Sequence, residues 1–86
     1  MNVTISFRNM EHTQALDELI QSKSQKFAKW FSANADIKWT CWVEGSEHVC
    51  EVKILDHNKE FFAKAESDDL YKSIDLVKSK IQNQLN

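Results

Sequence analysis

Cys41, His48 and Cys50 are the side chains whose types could ligate a metal or exchange thiols, and they stand close together in the chain. A tetrahedral zinc site asks for four such ligands, and no fourth is evident at a suitable spacing. The second chemically useful group is cationic. Lys23, Lys26 and Lys29 lie between Ile20 and Ala35, and Lys78 and Lys80 lie between Leu76 and Asn86, with no acid in either stretch. Ammonium groups segregated in this way can contact phosphate, although lysines near a helix C-terminus also complement the helix dipole. The chain has no glycine-rich phosphate loop and no serine or cysteine motif with a plausible base, and its carboxylates are scattered. It is read as a non-enzyme with no cofactor, no metal and no small-molecule substrate.

The elements that must position these groups centre on the stretch from Asp36 to Glu66. Ile37, Trp39, Cys41 and Val43 alternate with polar residues, which is the period of a strand with one buried face. Gly45 and Ser46 suit a two-residue type II′ turn that pairs Val43 with His48, Cys41 with Cys50, Trp39 with Val52 and Ile37 with Ile54. A second two-residue turn at His57 and Asn58 pairs Ile54 with Phe61, Val52 with Ala63 and Cys50 with Ala65. The small alanines then share rows with the bulky Trp39 side of the meander. In this register Cys41 and Cys50 face each other closely enough for a bridge, but as buried thiols in a reducing compartment they are expected to stay free.

Val3, Ile5 and Phe7 alternate in a first strand. From the N-cap Thr13, Leu16, Leu19, Ile20, Phe27, Trp30 and Phe31 recur at helical spacing and predict one long amphipathic helix ending by Ser32 to Ala35. Ser67 or Asp68 is expected to cap a second helix with the apolar stripe Leu70, Ile74, Val77, Ile81 and Leu85. The fold class is therefore α+β, in the order βαβββα, with a four-stranded mixed sheet in spatial order 1-2-3-4 and two parallel helices packed on one face. Parallel helices bring their lysine-bearing C-terminal halves to one end. Lys23 falls inside the apolar arc, so its ammonium must reach past the helix edge.

With 86 residues, one Gly and no Pro, the chain reads as a single domain spanning 1–86. No apolar run reaches a membrane span and no signal-peptide layout opens the chain, so no membrane partner and a cytoplasmic location are expected. A formal charge of -2 gives no global attraction for nucleic acid, and any polyanion contact must be local.

Ala63-Lys64-Ala65-Glu66 followed by Asp69-Leu70-Tyr71-Lys72-Ser73-Ile74-Asp75 resembles the alanine-rich fourth strand and second-helix start of the ribosome hibernation promoting factor family, also called the sigma-54 modulation protein family, which includes ribosome-associated inhibitor A. The resemblance extends over the whole chain, through Glu11, Thr13, Ala15 and Leu16, Lys23 and Lys26, His48, Lys80, and Gln84-Leu85. It is closest to the short form, and Asn83 stands where the family often has Arg. The resemblance implies a translation inhibitor that docks in the decoding channel of the small ribosomal subunit during hibernation or stress, with helix lysines on 16S rRNA and the tRNA and mRNA sites blocked. Carried over by position, it implies rRNA contacts at Lys23, Lys26 and Lys80, and next at Lys29, Tyr71 and Lys78.

The alternative is a non-enzymatic interaction module or weak homodimer. Trp42, Val49, Leu55 and Phe62 all fall on the sheet face opposite the helices, where they are expected to form a modest exposed apolar patch.

Overall fold

Alternation and turn chemistry produce the sheet in the expected register. The computed structural model describes residues 1–85; Asn86, the last residue of the expected domain, lies outside the described residues. The strands are β1 (Asn2–Arg8), β2 (Asp36–Glu44), β3 (Glu47–Asp56) and β4 (Lys59–Ser67), and the helices are α1 (Gln14–Gln25) and α2 (Leu70–Gln84). The sheet order is β1-β2-β3-β4, with β1 parallel to β2 and the other pairs antiparallel. Gly45 alone of the first turn's central pair has positive φ (61°), as a type II′ turn requires. His57 and Asn58 both do (52° and 64°), which is the type I′ pattern.

The inner face carries one core. Trp39 is fully buried, its ring stacked on Phe27 at 6.2 Å, and its indole N–H donates to Ser24 Oγ at 2.7 Å. Ile20, Ile37, Val52, Ile54, Ile74, Val77 and Ile81 close around it. Each such side chain contributes about 1.5–3 kcal/mol of burial, and the small Ala63 and Ala65 leave room for α2 to lie near β4.

The first helix is shorter than its apolar spacing suggests. Thr13 caps it as expected, its Oγ1 accepting from the Leu16 N–H, but after Gln25 the chain tightens into a 3-10 turn at Lys26–Lys29. The buried Ser24 hydroxyl donates to the Ile20 carbonyl, a local bond of the kind that bends helices. The tighter turn keeps Phe27 in the core and lets Phe31 meet Phe61 edge-on at 5.2 Å. Ser32 then donates twice to Asp56, from N–H at 2.9 Å and from Oγ at 2.6 Å, fixing the segment that follows the lysines to the second hairpin. At α2 the cap is Asp69 rather than Ser67 or Asp68. Its carboxylate accepts from the Tyr71 N–H, while the Ser67 hydroxyl accepts from the Asp69 N–H.

The outer face departs from simple alternation. Val49 is fully buried and Thr40 nearly so, while Trp42 is half-buried. Lys64 Nζ sits 5.4 Å from the centroid of the Trp42 ring. Because β4 and β2 are not neighbours, that contact spans β3 and shields Val49, the residue paired with Trp42.

Candidate nucleic-acid interface

Four of the six lysine and tyrosine candidates gather where α1, the 3-10 turn and α2 meet. Lys26 and Lys29 are one 3-10 turn apart and project to the same side, away from the side on which Phe27 is buried. Lys78 comes from α2. Its pKa lies below the ordinary lysine value, first because burial desolvates its ammonium, then because the ammonium groups of Lys26 and Lys23, and more weakly Lys29, repel it. That mutual repulsion places the four cations of Lys23, Lys26, Lys29 and Lys78 in one electrostatic neighbourhood.

The sequence order suggested a cluster free of acid, and the structure corrects this. Lys23 does reach past the edge of α1, but its ammonium lies 2.8 Å from Asp75 Oδ1 on α2. Asp75 also raises the pKa of Lys78, partly offsetting its cationic neighbours. The signal was present in the sequence, since Asp75 and Lys78 are three residues apart and share a helix face.

Lys80 points elsewhere. Two residues from Lys78, it is turned by about 200° around the helix, and its ammonium donates to the Lys64 carbonyl of β4 at 2.7 Å. Gln84, one turn on, donates to the Phe62 carbonyl at 2.6 Å. Tyr71 is exposed and stands seven residues before Lys78, on the same face but about two turns toward the N-terminus of α2. Trp30, whose spacing puts it on the apolar stripe of the helix, is instead partly exposed just beyond Lys29.

The thiol candidates do not form a ligand set. Cys41 and Cys50 are free and fully buried with their sulfurs 3.4 Å apart, and the Cys50 thiol is pushed far up, first by its hydrogen bond to Cys41 and then by burial. Among the described residues no group of three His, Cys, Asp or Glu side chains is arranged to hold a metal. On the outer face, burial of Val49 removes one member of the expected apolar patch. Thr40, Glu51 and Lys64 form a polar row between the Trp42–Val49 pair and Phe62, and Lys38 and Lys53 share the row of Phe62. Leu55 and Phe62 remain exposed but stand apart from Trp42.

Residues 3–86 match the family model described as "Sigma 54 modulation protein / S30EA ribosomal protein". The chain is similar to the ribosome hibernation promoting factor of Escherichia coli K12, with 29% identity over 85 residues covering 99% of this chain and 90% of that protein. It is similar also to the one from Azotobacter vinelandii, with 28% identity over 85 residues covering 99% and 79%. Two solved structures share its fold. A ribosomal subunit interface protein from Coxiella burnetii superposes with a TM-score of 0.86 at 22% identity, covering 99% of this chain and 93% of that one. The N-terminal domain of Thermus thermophilus Protein Y superposes with a TM-score of 0.90 at 21% identity, covering 99% and 96%.

Proposed function

The chain belongs to the sigma 54 modulation protein / S30EA ribosomal protein family, and on that premise we propose that it is a ribosome-binding hibernation factor that acts in the cytoplasm without catalysis. It docks on the small ribosomal subunit in the decoding channel, contacts 16S rRNA through its lysines, and blocks the tRNA and mRNA sites. The observation that carries this reading is the cluster of Lys23, Lys26, Lys29 and Lys78 on a protein whose net charge is -2. Four cations with Asp75 as the adjoining acid leave a local positive excess. Over a Debye length of about 8 Å that excess outweighs the distant acids.

The chemistry is phosphate contact rather than base reading. Lysine ammonium groups are point charges that displace counterions and carry no sequence code. Lys26 and Lys29 supply the most accessible cations, being exposed and without a carboxylate partner among the described residues. At Lys78 a phosphate would offset the repulsion from Lys26 and Lys23, which after desolvation is what lowers its pKa. Lys80 and Tyr71, away from the cluster, extend the contact along α2, Lys80 by leaving the Lys64 carbonyl.

Chemical footprinting of 16S rRNA in small subunits, with and without the protein, tests the placement. Protection at the decoding site together with inhibited translation in vitro is the expected result. Protection confined to another part of the subunit, or no inhibition, contradicts it.

A further inference from the structure

The two edges of the sheet are treated differently. On β4 the carbonyls of Phe62 and Lys64 are taken up by Gln84 and Lys80, side chains one helical turn apart on α2 that match the two-residue repeat of the strand. The strand also bears Lys59, Glu60, Lys64 and Glu66. Charges and covered backbone groups are the usual protections of an edge. β1, at the other edge, has far less charge and no covered outward backbone group among the described residues. It is seven residues long with Arg8 as its sole charge and no proline. The Asn2 N–H donates toward β2's side of the strand, to Ala35 O. By alternation Asn2, Thr4, Ser6 and Arg8 address β2, and the N–H and C=O groups of Val3, Ile5 and Phe7 face outward. No side chain among the described residues hydrogen-bonds to these six groups. The Val3, Ile5 and Phe7 side chains are themselves only half-buried at the margin of the core.

We infer that β1 is the docking edge for a second copy of this chain, joined antiparallel about a two-fold axis at Ile5. The strand is self-complementary in this register. Ile5 faces Ile5 of the second copy, Val3 faces Phe7 of the second copy, and Phe7 faces its Val3. All three are hydrogen-bonded pairs, so the six free groups on each copy are satisfied together, and the two inner faces form a continuous apolar margin. On the outer face the same register sets Arg8 of the second copy opposite Asn2, which shares a row with Asp36 and donates to its carboxylate at 3.0 Å. Arg8 of one copy is thereby brought to Asp36 of the other, twice by symmetry. That charge match favours a second copy over an unrelated extended peptide. A single strand pair is a small interface, so the dimer is weak and concentration-dependent.

Sedimentation equilibrium and amide hydrogen exchange on the full chain, from micromolar to about 1 mM, test this without the ribosome, so its failure leaves the proposed function untouched. The expected result is a monomer–dimer equilibrium in which the Val3, Ile5 and Phe7 amides become protected as dimer forms. At nine-tenths dimer their exchange slows about tenfold, because only the open edge exchanges. Arg8→Asp weakens the dimer, and Arg8→Asp with Asp36→Arg restores it. A monomer throughout, or a dimer in which those three amides exchange unchanged, overturns the inference.

Discussion

Lys23 Nζ lies 2.8 Å from Asp75 Oδ1, an ion pair that joins α1 to α2 beside the lysine cluster. The lysine side chain is mostly covered and the aspartate mostly exposed, so the pair is solvent-screened on one side and contributes only about 0–1 kcal/mol to stability. Its larger consequence is electrostatic, because Asp75 holds one cation and opposes the field of the others.

Asp75→Asn therefore strengthens binding to small subunits while changing stability little. Binding isotherms at fixed salt should show a lower Kd and a steeper dependence on salt, as Lys23 becomes free to contact phosphate. Weaker binding would mean that the ion pair positions the cluster rather than competing with the RNA.

The bond from the Trp39 indole to Ser24 Oγ sets a second expectation. Ser24→Ala leaves a buried N–H without an acceptor and costs about 1–3 kcal/mol. Urea unfolding should show the loss, and adding Trp39→Phe should give a total smaller than the sum of the two single effects, since the unsatisfied donor is gone.

Asp56 should make the fold acid-sensitive. Its pKa lies below the ordinary carboxylate value, chiefly because the Ser32 hydroxyl and then the Ser32 N–H donate to the ionised form. A depressed carboxylate contributes stability that is present above the unfolded-state pKa, near 4, and is lost as pH falls through the lower folded-state value. Asp56→Asn removes this contribution, so its urea midpoint should fall less steeply than the parent's as pH drops below about 4. Parallel curves would mean that Ser32 does not discriminate between the two protonation states.

Cys41 and Cys50 should both titrate as thiols in denaturant and resist modification in the folded protein. Their sulfurs are inaccessible, and the raised Cys50 pKa keeps the nucleophilic thiolate scarce. Fast labelling of the native state, or stoichiometric zinc, would contradict a purely structural role.

Much of this was legible in the sequence, for a physical reason. The Cys41–Cys50 and Trp39–Val52 pairs follow from two-residue turns whose chemistry is local, and a register slip would have turned every apolar residue outward. What was missed depends on side-chain reach. Val49 is buried because Lys64 extends over Trp42 from two strands away, which no period records. Asp75 meets Lys23 only once the helices are docked. Lys80 is different: a two-residue step from Lys78 already places it on another side of α2, and grouping them by charge order alone hid that.

Binding of the clustered lysines to the small subunit can be read from co-sedimentation at 50 and 200 mM salt (~fourfold apart). The parent should bind at the lower salt and lose about a hundredfold in affinity at the higher, as expected for roughly four phosphate contacts. Lys26→Gln, Lys29→Gln and Lys78→Gln together should leave the fold intact and abolish most of that binding and its salt dependence. If the triple variant sediments as the parent does, or if the parent does not sediment with small subunits at either salt, the lysine cluster is not the ribosome-binding surface.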